Sequence, residues 1–159
     1  MSKSGLLINF STTVKDDALD YYFKYIIRRA VSATLVHEGF DKDCEVSITF
    51  CDNKYIRSLN KEYRGKDKAT DVLSFPMYDF GSEAELISDE ETVLLGDIVI
   101  SLERAREQAK ELGNTFLEEV AFLTVHSMLH LLGYDHELSP EDDEAQCKAQ
   151  KEIVKTLDI

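Results

Sequence analysis

Apolar and polar residues alternate along this chain with two different periods, and the changes between them mark out its elements. Glu45-Val46-Ser47-Ile48-Thr49-Phe50 alternates strictly, as a strand with one buried face does. Residues 6–10, 70–77 and 93–100 predict three more strands, the last two rich in β-branched and aromatic side chains. After the first strand, Leu19, Tyr22, Ile26, Ala30 and Leu35 recur at helical spacing. They predict a long helix over residues 15–38, with Gly39 placed to end it. A short helix is expected over residues 53–63. Ser101 is positioned to cap a helix that reaches Leu112 and closes at Gly113. Thr115-Phe116-Leu117-Glu118 has the form in which an N-terminal Thr and a Glu three residues on satisfy each other's backbone N–H groups. It opens a further helix, expected to end at Gly133. Pro140 opens a last helix running to the C-terminus, because an early helical position loses nothing by lacking an N–H. Neither a repeat nor a linker interrupts this order. The expectation is one α/β domain over residues 1–159, a small sheet of about four strands covered by helices.

Composition supports a single globular core. The chain has 159 residues, 43% apolar and 31% charged, ordinary values for one domain. No run approaches the roughly 20 apolar residues of a membrane span. The apolar start at residues 6–10 is shorter than a signal-peptide core of at least about 7 residues, so a cytoplasmic protein is expected. Cys44, Cys51 and Cys147 form no Cys-x-x-Cys pair and are expected to be buried or half-buried thiols rather than a disulfide framework.

Charge restricts the partners. A net charge of −13 disfavours broad attraction to nucleic acid or to anionic lipid. One segment departs from it: Lys61-Glu62-Tyr63-Arg64-Gly65-Lys66-Asp67-Lys68 holds four basic and two acidic residues. The acidic stretches within residues 79–91 and 137–144 are expected to be a solvated loop and a helix N-terminus, where carboxylates meet partial positive charge.

The chemistry concentrates in His126-Ser127-Met128-Leu129-His130-Leu131-Leu132-Gly133-Tyr134-Asp135-His136. His126 and His130 stand one turn apart on one helix face and can grip one ion. In a continuing helix His136 would lie roughly 9 Å further along the axis and on another side. A break at Gly133, where a left-handed backbone is cheap, lets it fold back as a third ligand. Three histidines with an open fourth position are the donor set of a catalytic zinc site, one Zn2+ per chain. The fourth histidine, His37, sits near a helix C-terminus, where the residue is favoured anyway, and receives no function. The same spacing occurs in metzincin peptidases, but their general-base glutamate follows the first histidine, and here that position is Ser127. A zinc metalloprotease is therefore the second reading. Hydrolysis of another bond stays open, because bound zinc acidifies its water unaided.

Three blocks carry a family resemblance. They are Leu59-Asn60-Lys61-Glu62-Tyr63-Arg64-Gly65-Lys66-Asp67-Lys68-Ala69-Thr70-Asp71-Val72-Leu73-Ser74-Phe75-Pro76, then Leu95-Gly96-Asp97-Ile98, then the histidine motif. Together they resemble the YbeY family of bacterial ribosomal-RNA maturation factors; the family commonly has glycine where this chain has Ser127. The resemblance implies a metal-dependent endoribonuclease specific for single strands, acting in 3′-end processing of small-subunit ribosomal RNA and in ribosome quality control. It implies zinc on His126, His130 and His136, and Arg64 as the functional arginine. A guanidinium fork matches phosphate oxygens and can stabilise charge developing at phosphorus. Lys61, Lys66 and Lys68 are candidates to extend that edge, and Asp71 and Asp97 are expected to fix a strand start or a turn. The implied partners are single-stranded ribosomal RNA, the small ribosomal subunit and its assembly factors, with no DNA and no membrane. A non-catalytic RNA-processing adaptor is the remaining alternative.

Overall fold

The strands are β1 (Leu6–Thr12), β2 (Cys44–Cys51), β3 (Val72–Pro76) and β4 (Val93–Ser101), and they form one sheet in the order β1-β2-β4-β3. The first two run parallel to each other and to β4, while β3 pairs antiparallel to β4 along one edge. Helices α1 (Tyr21–His37), α2 (Asn53–Arg64), α3 (Leu102–Leu112), α4 (Phe116–Leu131) and α5 (Pro140–Leu157) complete the α/β fold. This computed structural model describes residues 5–77, 92–134 and 140–159; the acidic stretch at 79–91 and the residue His136 lie outside them.

Strand alternation splits the sheet into two unlike faces. Ile8, Val46, Ile48, Phe50, Ile98 and Ile100 point inward and join Ile26, Ile27 and Val31 of α1, Val125, Met128 and Leu129 of α4, and Ile153 of α5 in the main core. Cys51, Leu73 and Val99 point outward and meet Ile56 of α2 in a second, smaller cluster. The rest of the outer face, on β1 and β2, is polar apart from the exposed Leu7. There Asn9 donates to Glu45 at 2.6 Å, and the Ser11 and Thr49 hydroxyls pair at 2.8 Å.

Most element ends fall where capping chemistry puts them. Thr115 and Glu118 form the reciprocal box at the start of α4, and Ser101 caps α3 with Gly113 left-handed at its end. Asp52 caps α2, which Gly65 closes at φ 69°. The first helix departs from expectation: it begins at Tyr21, not at 15. Asp16 accepts from the Ala18 N–H at 3.0 Å, and Asp20 accepts from Phe23 at 2.9 Å as the N-cap. Short carboxyl side chains here take the N–H groups that a longer helix would have used. Tyr22 is exposed rather than part of the buried stripe, which runs through Phe23, Ile26, Ile27, Ala30 and Val31. The third strand starts two residues late, at Val72, because the Asp71 carboxylate takes the Val72 N–H at 2.7 Å. Asp71 therefore fixes a strand start, as expected of it.

Cys44 and Cys51 are buried, and burial pushes their thiols up to about 11 and about 12. Cys147 is exposed instead of half-buried. It lies outside the inward stripe of α5, which consists of Gln146, Ala149, Gln150, Ile153 and Leu157. Among the described residues no helix is long and apolar enough to cross a membrane.

Candidate functional site

The helix that carries His126 and His130 is held on many sides. Its buried residues include Val120, Ala121, Leu123, Thr124, Val125, Met128, Leu129 and Leu131, and its first turn is doubly capped. The two histidines are half-buried on the one flank that the core leaves accessible. Their ring centroids lie 5.8 Å apart with the ring planes tilted by 55°. Two imidazoles on one tetrahedral ion, with metal–nitrogen bonds of about 2.0–2.1 Å, bring their centroids to roughly 5–5.5 Å. The helix thus holds the pair close to the span an ion requires.

Two amides from α5 complete the surroundings of His126. Its Nδ1 lies 2.8 Å from Gln150 Oε1, while Gln146 Nε2 lies 3.3 Å from both Nδ1 and the His126 carbonyl oxygen. One ring nitrogen cannot donate to Gln150 and accept from Gln146 at once. The shorter contact involves an oxygen that can only accept, and Gln146 has the carbonyl as its own acceptor. We therefore assign the proton to Nδ1, which leaves the lone pair on Nε2, the nitrogen that a metal would take. Both glutamines are buried, at 1% and 5% exposure.

The chain turns directly after the histidines. Leu132 caps α4, and Gly133 has φ 111°, a conformation that L side chains rarely adopt. The predicted break is there. Among the described residues no third His, Cys, Asp or Glu joins the pair as a ligand set; the expected third ligand, His136, falls outside them. Ser127 is fully buried, and its hydroxyl has no hydrogen-bond partner among the described residues.

Arg64 is the last residue of α2 and is exposed. Its neighbour Tyr63 packs edge-on against Phe75 of β3, with ring centroids 5.4 Å apart. On the other face, Leu131 lies against Gly96, the residue paired with Pro76 at the same end of β3. The segments bearing Arg64 and His130 thus converge on one end of the edge strand from opposite sides of the sheet. Between α2 and β3 the connection is pinned: the Asn60 amide donates to the Lys68 carbonyl at 2.9 Å, and Arg57 pairs with Asp67 at 2.8 Å. Lys61 reaches the same Asp67 at 4.0 Å, so part of the basic segment is paired with its own acid at the surface. Asp97 is exposed on the outer face, opposite Phe75.

Sequence reasoning passed over three polar residues. Gln146 and Gln150 sit on the apolar stripe of α5, and two amides on a buried stripe are a signal that a polar partner waits across it. Glu119 lies in α4, seven residues before His126, and is buried at 2% exposure with one carboxyl oxygen unpartnered among the described residues. Burial pushes its carboxyl above the ordinary glutamate range. A hydrogen bond with Asn114 opposes that shift, and the Asp71 charge adds to it.

The family model described as endoribonuclease YbeY matches residues 9–158. The chain belongs to this family. The endoribonuclease YbeY of Caldanaerobacter subterraneus subsp. tengcongensis is 54% identical over 120 residues, 73% of this chain and 76% of that protein. The Alkaliphilus oremlandii protein of the same name is 52% identical over 126 residues, 79% and 78% of the two chains. That of Bacillus mycoides is 41% identical over 159 residues, 98% of each. The solution structure of TM1509 from Thermotoga maritima shares the fold, with a TM-score of 0.62 at 26% identity over 95% of this chain and 89% of that one. For a YbeY protein, the expected family and α/β architecture are both met.

Proposed function

We propose that this chain cleaves single-stranded RNA with one zinc ion held by His126, His130 and His136, and that it serves in the cytoplasm in maturation of the small-subunit ribosomal RNA 3′ end and in ribosome quality control. The observation that carries the metal reading is the His126–His130 pair, 5.8 Å between centroids, with Nδ1 of His126 facing an acceptor. The names of the relatives support RNA as the substrate. A zinc ion held by His126, His130 and His136 would supply Lewis-acid polarisation of the scissile phosphate and an acidified water.

The remaining work falls to the chain's own residues. Arg64 clamps a non-bridging phosphate oxygen pair with its planar fork and offsets charge developing on the phosphorus centre. Tyr63, seated on Phe75, anchors the end of α2 from which that arginine projects. A net charge of −13 gives no broad attraction to RNA, so the small ribosomal subunit and its assembly factors bring the strand to the site.

A peptidase is disfavoured by Ser127, which is buried where that chemistry needs a glutamate beside the first histidine. The test is to give zinc-loaded protein single-stranded RNA, duplex RNA and casein. Cleavage of the single strand alone, lost in His130→Ala and Arg64→Ala, is the expected result. Chelator-sensitive cleavage of casein alone would establish the peptidase instead, and bound zinc with no cleavage of any of the three would leave the adaptor.

A further inference from the structure

The C-terminal helix contributes to the site without supplying a ligand. Gln150 comes from α5, 24 positions beyond His126, yet the oxygen of its buried side chain meets Nδ1 of the half-buried His126 at 2.8 Å. An amide so placed is costly unless paired. It also occupies a position on α5 that Ala149 and Ile153 show to be part of the apolar stripe. Packing alone would favour an aliphatic side chain there. We infer that Gln150 is a positioning residue for the metal site: its oxygen holds the proton of His126 on Nδ1, so that Nε2 presents its lone pair at a fixed ring angle. The inference rests on the zinc reading and adds a fourth residue to it, one that touches neither ion nor substrate.

Gln146 has a different task. One turn earlier on α5, it donates to the His126 carbonyl oxygen at 3.3 Å and holds the backbone of α4 rather than the ring. Histidine ligands ordinarily donate their second N–H to a carboxylate, carbonyl or water, and loss of that acceptor typically weakens metal binding about 10- to 100-fold. An amide oxygen is a neutral version of the same device. It orients the ring without burying a charge in the metal-free protein.

Zinc affinity, measured by competition with a chelating indicator on the full chain, separates the possibilities. His130→Ala should abolish tight binding; wild-type affinity there would defeat the zinc reading itself, whatever Gln150 does. With that control passed, Gln150→Leu keeps the packing volume and removes the acceptor, so affinity should fall about 10- to 100-fold while thermal unfolding of the metal-free protein changes little. Gln150→Glu restores an acceptor with a charge. Affinity should return to the wild-type value or exceed it, while the metal-free protein becomes less stable because a carboxylate is now buried. A residue with only a packing role would move the two quantities together. Gln146→Leu should cost less than Gln150→Leu. Wild-type affinity in Gln150→Leu, no recovery in Gln150→Glu, or a larger loss in Gln146→Leu would overturn the assignment.

Discussion

Gly96 of β4 faces Leu131, the last residue of α4, so closely that a Cβ at 96 would come within 3.1 Å of Leu131 Cδ2 and run into the Phe75 carbonyl oxygen. Its φ of 141° adds strain for any residue with a side chain. Gly96→Ala should therefore cost about 2–4 kcal/mol, combining backbone strain with overpacking. Urea denaturation measures it, and a cost within experimental error of zero would mean that the β3 edge yields more readily than its geometry suggests. His130 adjoins Leu131, so RNA cleavage should fall in this variant as well.

Metal content tests the donor set directly. Protein purified without chelator should carry one zinc per chain, and His130→Ala should carry far less. Elemental analysis of both proteins decides, and equal content would remove His130 from the site.

Arg64 is exposed at the end of a helix, so replacing it should leave fold and metal content intact. Arg64→Ala should lose RNA cleavage, and Arg64→Lys should recover little because a point charge does not replace a bidentate fork. Circular dichroism and zinc content control for structure. Wild-type cleavage by the alanine variant would reduce Arg64 to a surface cation.

Glu119 gives a pH signature of definite sign. Its folded carboxyl binds a proton more tightly than the unfolded one, chiefly because burial disfavours the charge. Its contribution to stability is complete below the unfolded glutamate value of about 4.3 and is lost as pH rises through the higher folded value. Glu119→Gln removes that loss. Thermal unfolding should show the variant more stable than wild type at pH 8 and nearly equal at pH 4. Lower stability at pH 8 would mean that the ionised carboxylate has a partner worth more than its desolvation.

Salt dependence reports the charge reading. Binding to a short single-stranded RNA should be weak, with a slope of log affinity against log salt of roughly 1 to 3, a few phosphates at about 0.7 each. Pre-ribosomal particles should be cleaved faster than free RNA. A steep slope on free RNA, or equal cleavage of both, would show that the basic segment from Lys61 to Lys68 suffices alone.

Local rules made much of this fold legible. Thr115 and Glu118 mark the start of α4 by themselves, and the alternation in β2 gives its buried face. His126 and His130 needed only their spacing of four. What escaped depended either on local side chains that compete for backbone N–H groups or on partners far along the chain. The start of α1 moved to Tyr21 because Asp16 and Asp20, which the apolar stripe does not distinguish from surface acids, claim backbone N–H groups. Tyr22 fitted the helical period and still faces solvent, because the stripe is centred one position away on Phe23 and Ile27. Gln150 had no local marker for its role; only the packing of α5 against α4 gives it His126 as a partner.

Such packing also sets an order of events. The helix bearing both histidines is sealed by α1, α3 and α5 and by the sheet, with its hydrogen-bonding ends satisfied from within the chain. On the zinc proposal, an ion reaching these two rings would meet side chains already held by protein contacts. Its binding energy would then go into affinity rather than into holding the chain together, unlike small domains that collapse only around their metal. One ion could on that footing be exchanged for another without unmaking the protein, and the choice among ions would fall to ligand type, coordination number and supply.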